Sequence, residues 1–554
     1  MGGFDRLVLI GFSGSGKSTV ARLVSQRLGW NLLDTDAAIE ASTGQSVAEL
    51  FAEHGEAHFR SLEQETLISG LRRGQVVIAT GGGSVVDPAL WTVEYLRSEA
   101  TLVVALDVLP ETTLGRLASQ QADDGRAADR PLLVGPDPIT TATTLKERRQ
   151  AVYDRADITL VADHTPAEAV AGEVVTLVDR DSSATQPVVL SATSGSSSIT
   201  IAPGALLQLA ERVSEVWPSA RHAWIVTDDR VGPLHAAQVQ DTLADSGLGV
   251  HLLTLPHGES SKSLTGAGIA YDWLLRGGVE RADVVMALGG GVIGDLAGFV
   301  AATCLRGIGL AQVPTSLLAM VDSSVGGKTG INHEVGKNLI GAFYQPSIVI
   351  IDPLLLTTLP SRELTTGWAE VIKHALIQRS APGGECGDLW RFLQRNAERL
   401  LGLQEPALSY LIRRNVVLKA AVVEADERES GLRAFLNFGH TIGHAIEAAG
   451  YRYLHGEAVA VGMRAAAIIG EAAGTCGADE VSGLEALLAR FGLPLVATAD
   501  PGRIRLLIES DKKRTHGRQR WILPLRGGGV TVRDDIDDGL VRHAIDRVTS
   551  ATQH

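Results

Sequence analysis

Short, almost wholly apolar runs recur through the first two thirds of the chain, each followed by a longer amphipathic stretch. "LVLIG", "QVVIATGGG", "TLVVALD" and "ITLVAD" show no alternation of polar and apolar positions. That is the pattern of strands covered on both faces of a parallel sheet. The run "DRDSSATQPVVLSATSGSSS" then breaks it with Ser, Thr, Asp and a Pro, and its beginning reads as an interdomain linker. Strand-like runs resume at "HAWIVTDD", "VHLLTLPHGE", "DVVMALGGG" and "SIVIIDP". After Pro353 they largely stop. "GWAEVIKHALI" and "YLIRRNVVLKAAVVEADERE" put apolar residues at i, i+3, i+4 and i+7, which predicts helices. The reading is an α/β multidomain chain: a parallel sheet with flanking helices over 1–177, a linker over 178–187, a second α/β domain over 188–352, and a mainly α-helical domain over 353–554.

A length of 554 residues is too great for one hydrophobic core and fits this division. The formal net charge of −14 argues against non-specific nucleic-acid binding, which needs a basic surface, so any phosphate-bearing substrate must be held by local cations. Cys304, Cys386 and Cys476 are widely spaced and offer neither a CxxC pair nor a disulfide framework, as expected in a reducing, cytoplasmic setting. The N-terminus lacks the basic region and cleavage site of a signal peptide. The most apolar window, "VVMALGGGVIGDLAGFVAATC", is cut by Asp295 and glycines, which fits poorly with a bilayer span.

Three motifs carry chemistry. "GFSGSGKST", Gly11 to Thr19, matches GxxxxGK[ST] between a predicted strand and helix. In that context Gly14, Ser15 and Gly16 present backbone N–H groups to a β-phosphate, Lys17 reaches the β/γ-phosphates, and Ser18, with Thr19 beside it, ligates Mg²⁺. "ALGGGVIGDLAG" follows a strand and opens a helix, so Gly289, Gly290 and Gly291 suit either a pyrophosphate or a tight structural turn; this is not the GxGxxG fingerprint. In "NFGHTIGHAIE", His440 and His444 share a helix face one turn apart. They look like half a zinc site, but no glutamate lies between them as HExxH requires.

Around the first motif, "LLDTDAAIEASTGQSVAELFAEHGEAHFRSLE", "ATGGGSVV", "DRPLL" and "ERRQAVYDRAD" form an ordered set that resembles the shikimate kinase family over about 175 residues. The resemblance implies a P-loop kinase. Asp34 and Arg116 would join the ATP/Mg²⁺ site, and Asp36 would bind shikimate hydroxyls and act as base. Arg60 and Arg149 would grip the carboxylate, Gly81, Gly82 and Gly83 would admit the ring, and Arg130 would come from a lid. Ser13 stands where that family usually has Met.

Further on, "VPTSLLAMVDSSVGGKTGINHEVGKNLIGAFYQP", "GWAEVIKHALI" and "NFGHTIGHAIE…YLHGEAVAVG" resemble 3-dehydroquinate synthase from about residue 187 to near the C-terminus. The resemblance implies a Rossmann-like nucleotide-binding domain followed by a helical metal-binding domain, with Glu370, His440 and His455 as ligands to Zn²⁺ or Co²⁺. His444 would then contact substrate rather than metal. Lys328, Asn338 and Lys373 would lie near the substrate phosphate, with Arg306 reaching in from a second subunit of a homodimer. Lys419, Arg433 and Asn437 would surround the carboxylate end, joined by Lys512 or Lys513. NAD⁺ contacts map to Asp228, Glu259, Lys262, Gly291, Val292, Asp295, Thr315, Ser316, Asp322, Lys328, Lys337 and Asn338. Arg230 replaces an Asn common in that family.

The implied chemistry is redox-assisted loss of phosphate from a seven-carbon keto-sugar acid phosphate, with NAD regenerated each turnover. The whole chain then reads as a bifunctional enzyme of aromatic precursor synthesis, acting on small molecules and on neither nucleic acid nor membrane. Rival readings are another sugar-phosphate cyclase or a metal-dependent polyol dehydrogenase for the second half, and a different small-molecule kinase or a nucleotide sensor for the first. A dehydrogenase would accumulate NADH and leave phosphate untouched. A sensor has no use for the acceptor set of Asp36, Arg60 and Arg149.

Overall fold

The computed structural model describes residues 3–124, 137–178, 186–384, 388–450, 453–514 and 519–550. The chain forms two compact units. The first comprises Met1–Ala184 together with Cys386–Leu400 and Gln404–Ala407; the second comprises Thr185–Glu385, Leu401–Leu403 and Leu408–His554. Residues 388–400, read from the sequence as part of the helical domain 353–554, pack in the first unit.

The first unit holds a five-stranded sheet in the order Asn31–Asp34, Val76–Ala79, Arg6–Gly11, Thr101–Asp107, Ile158–Val161. Every pairing is parallel. The apolar runs are central because both their faces are covered: Leu7, Val8, Leu9, Ile10, Val76, Val77 and Ile78 are fully buried. Strand Asn31–Asp34 was missed by the sequence reading. It is four residues long, at the sheet edge, and half of it is exposed, so it lacks a double-covered pattern.

At the end of strand Thr101–Asp107 the buried Asp107 pairs with Lys146 at 2.7 Å and with Arg391 at 2.7 Å, and accepts from Arg395 at 3.1 Å. Burial works to raise this carboxyl, but Lys146, Arg395 and Arg391 outweigh it and hold it below the usual carboxylate range. A depressed folded-state value stabilises the fold above the unfolded carboxyl pKa of about 4, and that stability is lost as pH falls toward and through the folded value. Between pH 5 and 3, strands Thr101–Asp107 and Ile158–Val161 are expected to lose amide-exchange protection, with a shallower pH dependence in Asp107→Asn. An identical acid profile in the variant would refute this assignment.

The second unit is built on a seven-stranded sheet in the order Val188–Ala192, Gly195–Ile201, Ile348–Ile351, Gly309–Pro314, Val284–Gly289, His222–Asp228, Gly249–Leu255. The first pair is antiparallel and the rest are parallel. Strand Gly309–Pro314 escaped the sequence reading because Gly309, Gln312 and Pro314 dilute its apolar signal, although Gln312 is itself buried. The hairpin Val188–Gly195–Ile201 hid in the Ser-rich stretch after the linker. Past the sheet, a second hairpin pairs Lys328–His333 with Gly336–Phe343. The helices Ser361–Ile377 and Ala407–Ala425 follow, as the 3.6-residue periodicity predicted, and then His440–Gly450 and His455–Ala472.

Helices His440–Gly450 and His455–Ala472 meet through glycine. A Cβ on Gly462 would lie 2.0 Å from the Gly439 carbonyl oxygen, and one on Gly443 would lie 3.1 Å from that of Ala458. At Gly439 the left-handed φ of 80° adds a second requirement for glycine. Among the described residues no helix is long and apolar enough to cross a membrane.

Candidate active sites

In the first unit, strand Arg6–Gly11 runs into a loop that turns at Gly14 and Gly16, both at positive φ, before helix Lys17–Leu28 begins. Gly11 is irreplaceable on space alone, since its Cβ would lie 2.5 Å from the Leu106 carbonyl oxygen. Lys17 is buried and donates to the carbonyl oxygens of Gly11 at 2.9 Å and Phe12 at 2.8 Å, so its ammonium lies over the loop. Arg116 donates to the Ser15 carbonyl from the other side at 3.1 Å. Asp34 ends strand Asn31–Asp34 and caps helix Thr35–Thr43 by accepting from Ala37 N at 3.3 Å, and Asp36 lies in that helix's first turn.

The acceptor side is assembled around Gly81, Gly82 and Gly83. Cβ atoms at Gly81 and Gly83 would lie 2.8 Å from Asp36 Oδ1 and 2.5 Å from Arg60 Cζ. Arg149 donates to the Gly82 carbonyl at 2.9 Å, and Tyr153 does so at 2.6 Å. Asp36, Arg60, Arg149 and the three glycines therefore converge. Glu63 was missed by sequence reasoning: fully buried, it pairs with Arg60 and accepts from Ser84 Oγ at 2.6 Å. Its i+3 spacing from Arg60 was the only available signal. Arg130 lies outside the described residues.

In the second unit, Glu370, His440 and His455 bring their ligand atoms within 4.8 Å of one another. Glu370 is fully buried on helix Ser361–Ile377. Its Oε1 lies 3.8 Å from His440 Nε2 and 3.5 Å from His455 Nε2, and Lys373 pairs with its other oxygen. His440 Nδ1 donates to the Phe438 carbonyl at 3.2 Å, and His455 Nδ1 donates to Glu447 at 3.3 Å. Both imidazoles therefore turn Nε2 toward the carboxylate.

Burial opposes charge on His455, but the hydrogen bonds to Glu370 and Glu447 outweigh it and raise the group to about 9. Burial and Lys373 push His440 well below its usual value. His444 is exposed, its ring 5.1 Å from that of His440 and 5.8 Å from that of His455. It sits beside the cluster.

Packing at the start of helix His455–Ala472 sets this geometry. The Glu457 backbone N–H donates to Thr366 Oγ1 at 3.2 Å, and its carboxylate accepts a fork from Arg362 at 2.7 and 2.8 Å. A Cβ on Gly456 would lie 1.9 Å from the Thr366 carbonyl oxygen. Gly456→Ala must move His455 away from Glu370. Metal-dependent turnover is expected to fall about a hundred-fold, with weaker metal uptake by equilibrium dialysis. Wild-type uptake in this variant would refute the packing argument.

Cations surround the cluster. Lys419 donates to Asp322 Oδ1 at 2.6 Å, and burial pushes its ammonium down to about 8 even so. Arg433 is buried and donates to the carbonyls of Glu427 and of Gly326, the latter at 3.2 Å. Asn437 and Lys328 both hold Glu429, and Lys337 pairs with Glu447 at 2.6 Å. The turn carrying Arg433 is organised by Asp426, which accepts from the backbone N–H groups of Ser430 at 2.8 Å and Arg433 at 3.0 Å. Burial resists its charge, but these backbone donors pull the carboxyl down to about 2. Asp426, Glu429 and Glu447 were all missed from sequence, because nothing in their spacing marks them.

Asp322, read as a cofactor contact, pairs with Lys419 and lies 3.9 Å from His374. Asn338 sits at φ 56° and donates through its backbone N–H to Asn332 at 3.0 Å. Arg306 is exposed on a turn at φ 68°, apart from these contacts. Lys512 and Lys513 fall in helix Pro501–Arg514, their side chains outside the description.

At the sheet's strand ends, Gly290 precedes helix Gly291–Thr303, whose N-terminus has no side-chain cap. A Cβ on Gly291 would meet Ser323 Oγ at 3.0 Å, while Val292 follows in the first turn and is half-buried. Thr315 N donates to the Gly289 carbonyl at 3.0 Å, and Ser316 Oγ accepts from Ala319 N at 3.3 Å. Asp228 ends its strand and accepts from Arg230 N and Val231 N at 2.9 Å. Glu259 accepts from Asn332 at 2.6 Å, and Lys262 pairs with Asp295 at 2.5 Å. Burial raises Asp295 despite that lysine.

These features define two enzyme classes in one chain: a P-loop phosphotransferase, and an α/β enzyme with a helix-terminus nucleotide cradle and a Glu/His/His metal cluster. The chain belongs to the 3-dehydroquinate synthase family, whose N-terminal and C-terminal parts match residues 252–366 and 367–514, and to the shikimate kinase family over residues 13–179. It is 49% identical over 327 residues to a 3-dehydroquinate synthase of Pelobacter propionicus, covering 58% of this chain and 89% of that protein. To one of Symbiobacterium thermophilum it is 44% identical over 352 residues, covering 63% and 96%. Among solved structures it resembles ValA, the 2-epi-5-epi-valiolone synthase of Streptomyces hygroscopicus subsp. jinggangensis with NAD⁺ and Zn²⁺ bound. That match has TM-score 0.59 and 26% identity, covering 65% of this chain and 99% of that one.

Proposed function

We propose that the protein is a bifunctional enzyme of the shikimate pathway. Its first unit phosphorylates shikimate from Mg·ATP, and its second converts 3-deoxy-D-arabino-heptulosonate 7-phosphate to 3-dehydroquinate with release of phosphate. The observation that supports the second assignment is a run of charged contacts leading from Glu370 and Lys373 through Asp322 and Lys419 to Arg433, and on to Glu429 with Lys328 and Asn437. A substrate with a phosphate at one end and a carboxylate at the other calls for such a set, and a neutral polyol does not.

The donors fit a divalent cation. They comprise one fully buried carboxylate, Glu370, and two imidazoles with Nε2 aimed at it. Glu370, His440 and His455 would hold Zn²⁺ or Co²⁺, which when bound supplies Lewis acidity to a substrate diol. The uncapped helix Gly291–Thr303 and its glycine approach fit the pyrophosphate of NAD⁺, which supplies reversible hydride acceptance.

The protein's own groups do the rest. Lys328, Asn338 and Lys373 orient the phosphate; Lys419, Arg433 and Asn437 hold the carboxylate end; His444 hydrogen-bonds a hydroxyl. In the first unit Lys17 exchanges the Gly11 and Phe12 carbonyls for phosphate oxygens, and Ser18 and Asp34 serve the Mg²⁺ site. Asp36 accepts the shikimate hydroxyl proton, while Arg60 and Arg149 bind its carboxylate. The finer reading is a cytoplasmic homodimer in which Arg306 from a second copy reaches the substrate phosphate.

Phosphate release from the heptulosonate phosphate, measured with NAD⁺ and Zn²⁺ before and after chelation, tests the second unit. Release that stops on chelation and leaves no net NADH is expected. Net NADH without phosphate would instead identify a dehydrogenase. Shikimate-dependent ATP turnover, lost in Asp36→Asn, tests the first.

A further inference from the structure

Helix Leu389–Leu401 lies inside the stretch matched by the synthase C-terminal family, residues 367–514, yet its residues Leu389 to Leu400 pack in the first unit. Its buried face is Leu389, Phe392, Leu393, Asn396, Ala397 and Leu400. Asn396 is fully buried and behaves toward the edge strand Ile158–Val161 as another strand would. Its Oδ1 accepts from Thr159 N at 3.0 Å, and its Nδ2 donates to Thr159 O at 2.9 Å. Below it Arg399 donates to the Ala156 carbonyl at 2.9 Å.

At the other end of the helix, Arg391 spans two buried carboxylates, Asp163 and Asp107. Asp163 in turn accepts from Leu109 N at 2.6 Å and Thr112 Oγ1 at 2.8 Å. Those residues open helix Pro110–Asp124, which carries Arg116. Arg116 donates to the backbone carbonyls of Ala162 and Asp163 and to Ser15 in the phosphate loop. A continuous set of polar contacts thus runs from Arg391 through Asp163 to the nucleotide end of the kinase site, while its second carboxylate, Asp107, pairs with Lys146 on helix Pro138–Tyr153.

We propose that Arg391 is a positioning residue for the kinase nucleotide site: through Asp163 it sets the turn that holds Arg116 against the phosphate loop. The inference rests on reading the first unit as an ATP-dependent kinase. A fork on two carboxylates suits arginine, and lysine, a point charge, can satisfy only one at a time.

The test uses the full-length protein with Arg391→Ala and Arg391→Lys. Mg·ATP affinity is measured by calorimetry, which needs no acceptor, alongside KM for ATP, KM for shikimate and kcat. For Arg391→Ala, ATP affinity is expected to weaken about ten-fold, with KM for shikimate changed by less than about two-fold and partial recovery in the Lys variant. Asp163→Asn added to Arg391→Ala should weaken ATP little further, since both act through one contact. Unchanged ATP affinity would overturn the proposal. So would a uniform loss in which both KM values and kcat worsen together, because that is the mark of general unfolding. If wild type binds Mg·ATP but fails to phosphorylate shikimate, the acceptor assignment falls while the calorimetric comparison still decides the role of Arg391.

Discussion

Glu370→Gln is expected to abolish the second activity and leave the first intact. The substitution keeps the size of the side chain and removes one of three metal donors. It also strips Lys373 of the carboxylate it pairs with in a site where both are almost wholly buried. Loss of the metal's contribution to charge stabilisation lowers phosphate release roughly a thousand-fold. The uncompensated lysine destabilises the second unit by about 3 kcal/mol or more. Metal content by atomic absorption should fall with activity. Shikimate-dependent ATP turnover, which belongs to the other unit, serves as the internal control. A variant that keeps its metal and its phosphate release would remove Glu370 from the ligand set.

Lys17→Ala is the complementary experiment. The Lys17 ammonium is held over the loop by the carbonyls of Gly11 and Phe12, poised where β- and γ-phosphate oxygens would take their place. Without it the charge gathering on the transferring phosphoryl group loses its nearest cation, and kcat for shikimate phosphorylation should drop by roughly a hundred- to a thousand-fold. NAD-dependent phosphate release should not change. Retention of kinase turnover within ten-fold would mean that the loop does not bind the transferred phosphate.

The phosphate loop was legible because its chemistry is local: Gly11 through Thr19 carry the spacing, the strand before and the helix after. The acceptor side was legible only as a resemblance, since Asp36, Arg60, Gly81 and Arg149 come from separate elements. The metal cluster shows the limit more sharply. His440 and His444 advertise themselves at i and i+4, yet the pair that faces Glu370 is His440 and His455, joined by a close crossing of two helices. Helical spacing pairs His440 with His444; it does not say that Gly443 and Gly462 let the next helix touch and bring in His455. Glu63, Asp426 and Glu447 stayed hidden because their roles are to hold other side chains, and an acidic residue on a helix or turn looks the same from sequence whether it holds an arginine or faces water. The edge strand Asn31–Asp34 was lost for a related reason: half-exposed strands need neighbours to be recognised.

The placement of helix Leu389–Leu401 bears on how the chain comes into being on the ribosome. Domains generally fold as they emerge, N-terminal first, at about 5–20 residues per second. Here the edge strand Ile158–Val161 leaves the exit tunnel long before the Asn396 that caps it, 237 residues after Thr159. For roughly 12 to 47 seconds the nascent first unit presents an unpaired strand edge and two acidic groups, Asp107 and Asp163, whose arginines have yet to be made. A bare edge is a template for mispairing. Translation speed between the linker and residue 401 therefore becomes a determinant of yield, and a chaperone that shields strand edges has a defined window in which to act.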